Sequence, residues 1–127
     1  MSLHAVAAVS CVIVCLNIGA ASLAAAEDAA AGRAVFDEHC ARCHNPDAAG
    51  KTYGPSLVGI IGRKAASVEG FEYSDALKKS GLVWTVDALR AWMADNTGLL
   101  PGTRMRHVGV NDPLEQDMLL AYLNTLK

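Results

Sequence analysis

The chain has 127 residues, 52% hydrophobic and 19% charged, and its 11 basic and 13 acidic side chains leave a formal charge of −2 at pH 7. That is length for one domain, and without a basic tract nucleic-acid binding has no electrostatic support. The first 26 residues are a separate object. Leu3 to Ala26 holds no Lys, Arg, Asp or Glu, its apolar heart is Val12-Ile13-Val14-Cys15-Leu16, and it ends in Ala24-Ala25-Ala26 before Glu27-Asp28. This reads as a secretory signal peptide with a small-residue cleavage site, although no Lys or Arg precedes the apolar run. The alternative is an uncleaved anchor, since ~20 apolar residues span a bilayer. Asn17, Gly19 and the alanines make a poor one. Cleavage takes Cys11 and Cys15 away and leaves residues 27–127 as the domain, with the same charge of −2 because every charged residue lies there.

Asp28 to about Cys40 is expected to be a helix, with Gly32, Val35, Phe36, His39, Cys40 and Cys43 along one side at three- and four-residue spacing. Pro46 ends it. From Asn45 to Tyr73 no periodicity appears, and Gly50, Gly54, Pro55, Gly59, Gly62 and Gly70 punctuate the run. So long a structureless stretch does not suit an ordinary compact domain; a large buried cofactor resolves this, because the loop can wrap it. Ser74 to Ser80 is a short helix, capped by Ser74 and stopped by Gly81. Thr85 caps another to about Asn96, with Asp87 in its first turn and Leu89, Trp92 and Met93 facing inward. Gly98 to Asn111 is loop. Asp112-Pro113-Leu114-Glu115 starts the last helix, with Leu119, Tyr122, Leu123 and Leu126 on one face. The fold class is all-α, with a core too thin to stand alone.

Cys40-Ala41-Arg42-Cys43-His44 carries the chemistry. C-x-x-C-H is the pattern of covalent haem attachment: two thiols add across two vinyl groups, and the adjacent imidazole reaches the iron. A zinc site would need two more ligands at matching spacing. A redox dithiol would want βαβ patterning, and none is present. His44 is the candidate for one axial position. For the other, Met93 and Met118 lie in helical patterns and are assigned to the core, which leaves Met105 in the loop Pro101-Gly102-Thr103-Arg104-Met105. A second imidazole, or no ligand, stays open on these residues alone.

Taken together, Gly32 to Lys127 resembles the class I cytochromes c of the mitochondrial-like bacterial type. The resemblance rests on C-x-x-C-H, on Gly54-Pro55-Ser56-Leu57-Val58-Gly59-Ile60-Ile61-Gly62-Arg63-Lys64, on Phe71-Glu72-Tyr73-Ser74-Asp75-Ala76, on Gly81-Leu82-Val83-Trp84 and on Pro101-Gly102-Thr103-Arg104-Met105. It implies a small cytochrome c fold wrapped around one covalent haem c, with thioethers to Cys40 and Cys43 and iron ligated by His44 and Met105. Gly32 and Phe36 would lie where the first helix crosses the last, opposite Leu119 and Tyr122. The Pro55 carbonyl would orient His44, Arg63, Tyr73 and Trp84 would hold the inner propionate, and Thr103 would join the cofactor-binding set. The implied function is one-electron transfer, without enzymatic turnover, by an exported, monomeric periplasmic protein. It would run between a donor such as a quinol-oxidising complex or dehydrogenase and an acceptor such as a terminal oxidase or reductase. A membrane-tethered carrier results if residues 1–26 stay. A dedicated haem subunit and a peroxidase-like enzyme with a labile Met ligand are the alternatives.

Three departures from the family bear on function. Asn96-Thr97-Gly98-Leu99-Leu100 lacks the usual lysines, leaving Arg104, Arg106 and Lys51 beside Leu99 and Leu100 for a docking patch with weak electrostatic steering. His107 stands near the haem edge and is expected to be an exposed histidine, the alternative being that it replaces Met105 at raised pH. Leu77 and Trp92 stand where the family commonly has Asn and Tyr, and are expected to give a drier pocket.

Overall fold

The computed structural model describes residues 4–46 and 52–127, with residues 4–20 as backbone only. Among the described residues four helices follow one another: α1 (His4–His39), α2 (Asp75–Lys79), α3 (Val86–Leu99) and α4 (Pro113–Leu123). The first is much longer than expected. It runs without interruption past Ala26, because the alanine-rich stretch on either side of Glu27-Asp28 is made of strong helix formers and holds no proline. Among the described residues no helix is long and apolar enough to cross a membrane.

The three caps expected from the sequence are all present. Ser74 Oγ accepts from the Leu77 amide at 3.2 Å, Thr85 Oγ1 from Ala88 at 3.1 Å, and Asp112 Oδ1 from Leu114 at 2.7 Å and Glu115 at 3.2 Å. Each satisfies amides that a helix start leaves without an intrahelical partner. The end of α3 differs from expectation. It reaches Leu99, and Asp95 breaks it with φ −153° and ψ 87°. The cause is local: Asp95 Oδ1 accepts from the Gly98 amide at 2.8 Å and from Thr97 Oγ1 at 3.0 Å. Asp95 therefore caps a second short helical piece in mid-element, a use of Asp that competes with continuing the first.

The domain is held together where α1 crosses α4. Phe36 and Leu119 are fully buried there, and the Phe36 and Tyr122 rings meet at 5.1 Å. A Cβ on Gly32 would run into the Met118 backbone carbonyl and would lie 2.9 Å from Tyr122 Cβ. Gly32 is thus required by close approach of two backbones. Met118 contributes that carbonyl; its side chain is only half-buried, not core as expected. The described part of the long loop before α2 has no helix and no strand, only an isolated antiparallel bridge between Lys64 and Val83. Ile60, Tyr73, Leu77, Trp84, Leu89, Trp92 and Met93 belong to the same buried cluster. They line a cavity.

Candidate haem site

The cavity has a volume of about 450 Å³, within the ~300–1,000 Å³ usual for small-molecule and cofactor sites. Its wall includes Cys40, Cys43, His44, Pro55, Arg63, Tyr73, Trp84, Thr103 and Met105, so every site residue read from the sequence comes to one place. The sequence reading missed much of the apolar wall, including Leu57, Ile60, Phe71 and Leu123. Leu57, Ile60 and Phe71 sit in irregular loop, where periodicity gives no signal.

The C-x-x-C-H segment forms one further turn off the end of α1. Cys40 N donates to Phe36 O at 2.8 Å and His44 N to Cys40 O at 2.9 Å. Both thiols are free. Burial pushes the Cys40 thiol up to about 11, and neighbouring Cys43 acts in the same direction. The His44 ring is fixed from two sides. Its Nδ1 donates to the Pro55 carbonyl at 2.8 Å, which leaves the Nε2 lone pair as the ligating atom. Gly54 lies close against the imidazole, and a Cβ there would overlap the ring. The Gly54 amide, in turn, donates to the Cys43 carbonyl at 2.7 Å. Burial holds His44 below the ordinary imidazole value; the Pro55 bond opposes this and His107 adds to the lowering. The ring is thereby kept neutral, the form that ligates a metal.

Arg63 is anchored through its ends. Nη1 donates to Val58 O at 2.6 Å and Nη2 to Ser56 O at 2.7 Å. Its Nε is buried without a hydrogen-bond partner. An orphaned buried donor is costly, and in a cavity wall it fits an anionic group such as a propionate. Tyr73 Oη, by contrast, accepts from the Val68 amide at 3.3 Å. Trp84 packs edge-on against Trp92, centroids 4.9 Å apart.

Across the cavity, Met105 is gripped by α3. Trp92 Nε1 donates to Met105 Sδ at 3.1 Å, and Asn96 Nδ2 donates to the Met105 carbonyl at 2.9 Å. A thioether sulfur has two lone pairs, so one can accept from the indole while the other faces a metal. Nothing in the sequence signalled the Asn96 contact. The arginines flanking Met105 fold back on the backbone. Arg104 donates to Tyr73 O, and Arg106 Nη1 to Thr103 O at 2.6 Å and Met105 O at 3.0 Å. His107 Nδ1 lies 2.8 Å from Val108 O and Nε2 3.2 Å from Trp92 O. Replacement of Met105 by His107 would first have to break both contacts. Lys51 lies outside the described residues.

Residues 29–127 match the family model described as cytochrome c. The chain belongs to the cytochrome c family. It is 44% identical over 102 residues to cytochrome c2 of Blastochloris viridis, covering 79% of each chain. Against cytochrome c2 iso-2 of Magnetospirillum fulvum it is 40% identical over 87 residues, covering 68% of this chain and 91% of the other. The solved structure of cytochrome cH from Methylobacterium extorquens superimposes with a TM-score of 0.70 at 45% identity, covering 76% of this chain and 97% of that one. The all-α cytochrome c fold, one covalent haem c and electron transport follow from membership of the family. The two thiols, the oriented imidazole and the orphaned Arg63 Nε fit that cofactor.

Proposed function

We propose that this chain is a one-electron shuttle whose haem is closed on both faces. Cys40 and Cys43 would hold the macrocycle by thioethers, and His44 and Met105 would ligate the iron. The observation that carries the reading is the pairing of a neutral, backbone-fixed His44 with a thioether presented by Trp92 to the same cavity. Bound haem supplies reversible one-electron chemistry at its iron, with a potential raised by His/Met ligation.

The chain's own residues do the rest. His44 keeps one tautomer through Pro55. Arg63, Tyr73 and Trp84 would hold a propionate, with Arg63 Nε as the charged donor, and Thr103 lines the same cavity. His44 and Met105 together would leave no room for a substrate at the metal, which supports a carrier and not an enzyme. Its partners are redox proteins: a donor such as a quinol-oxidising complex or dehydrogenase, and an acceptor such as a terminal oxidase or reductase. Arg104 and Arg106 are tied to backbone carbonyls, and Leu99 and Val108 are exposed. This supports a docking face with weak electrostatic steering.

Residues 1–26 act as an export signal and are removed, leaving a periplasmic monomer; the start of the family match at residue 29 supports that boundary. The test is the ferric absorption spectrum of the purified haem protein. A sulfur–iron band is expected, and Met105→Leu should abolish it and lower the potential by on the order of 0.1–0.2 V, part of the ~0.8 V range that axial ligands span. A parent without the band that turns over peroxide rapidly would make it an enzyme instead.

A further inference from the structure

Four contacts join the Met105 loop to α3, and they cluster at the break in that helix. Trp92 Nε1 reaches Met105 Sδ, and Asn96 Nδ2 reaches the Met105 carbonyl. The Val110 amide donates to Met93 O at 2.8 Å, and His107 Nε2 faces Trp92 O. Gly109 packs so closely that a Cβ there would overlap the Ala94 carbonyl. Of the two α3 residues that hydrogen-bond Met105, Trp92 holds the sulfur and Asn96 the backbone. Asn96 is 4% exposed, and it lies immediately after Asp95, whose extended backbone redirects the chain.

We infer that Asn96 is a positioning residue for the axial methionine, holding the Met105 carbonyl so that the sulfur stays aimed at the iron. This rests on the reading of Met105 as a ligand. The physical basis is the cost of misplacement. A thioether is a weak donor on a flexible side chain with three rotatable bonds. Its effective strength as a ligand depends on how much of the time the backbone presents it correctly. A buried amide–carbonyl bond restricts that backbone, and its loss leaves the Met105 carbonyl with the Arg106 guanidinium alone. The break at Asp95 belongs to the same device, because it sets the direction from which Asn96 approaches.

The experiment is a titration of ferric holoprotein with imidazole, which competes for the methionine position, in the parent and in Asn96→Leu. Loss of one buried hydrogen bond should tighten imidazole binding about five- to tenfold. In denaturant, the sulfur–iron band should disappear well before the far-ultraviolet helix signal, with a wider gap than in the parent. A purely structural role would instead move both transitions together and leave imidazole affinity within twofold of the parent, which would overturn the inference. If Asn96→Leu takes up no haem, Asn96→Ala carries the same measurements, and failure of both to load haem would also overturn it. A parent that lacks the band overturns the Met105 reading together with this one; a parent that has it, with unchanged variants, overturns this one alone.

Discussion

The two sides of the haem cavity are built by different means. On the His44 side the fixing groups are backbone: the Pro55 carbonyl, the Gly54 Cα against the ring, and the Gly54 amide on Cys43. On the Met105 side they are side chains of α3: the Trp92 indole on sulfur and the Asn96 amide on the carbonyl. Backbone seats tolerate almost no substitution, because the group that does the holding cannot be changed without moving the chain. Side-chain grips can be exchanged one at a time. The difference suggests that one side fixes the cofactor and the other sets its electronic properties.

Substitutions can break this contrast. The largest effect is expected from Gly54→Ala, whose Cβ collides with the imidazole; overpacking of this kind costs about 1–3 kcal/mol, here directed at the His44 ring itself. The yield of haem-loaded protein and its denaturant midpoint should both fall. Trp92→Phe is expected to be intermediate. A hydrogen bond to sulfur withdraws electron density and favours ferrous iron, so its loss should lower the potential by on the order of 20–60 mV, equivalent to ~0.5–1.5 kcal/mol for one electron. Spectroelectrochemical titration reads this directly, and haem content should not change. An unchanged potential would mean that the indole only packs.

Asp95→Asn should have the smallest effect, felt above about pH 3.8 and vanishing in acid. The Gly98 amide and the Thr97 hydroxyl hold the Asp95 carboxyl below its ordinary 3.8. A pKa lowered in the folded state means that its stabilising contribution is present above 3.8 and is lost as pH falls below it. The amide cannot titrate, so the variant should be slightly less stable than the parent near neutrality and should lose less stability below pH 3.8, the two converging in acid, read by acid titration of the helix signal.

The same division governs what the sequence made legible. C-x-x-C-H is contiguous, so it could be read without any fold. Ser74, Thr85 and Asp112 act on amides two or three residues away, and capping chemistry is local enough to read. Pro55 and Arg63 were reachable only through resemblance, because their partners lie 5 to 11 residues off in a loop with no period. Asn96 was not reachable at all: its partner is nine residues away, and it required the break at Asp95, which an apparently regular helical pattern concealed. Trp92 was correctly turned inward by periodicity, but periodicity does not say which atom an indole N–H will meet.

The uninterrupted course of α1 gives Glu27 and Asp28 two different environments. With residues 1–26 present they sit in mid-helix, where the helix dipole is indifferent to them. Removal of residues 1–26 would turn them into the first turn of a shorter helix, beside a new α-amino group. Carboxylates at that end are favourable by about 0.3–1 kcal/mol each, which opposes the positive charge that the cut creates. The pair would then protect the start of the helix whose other end carries the haem.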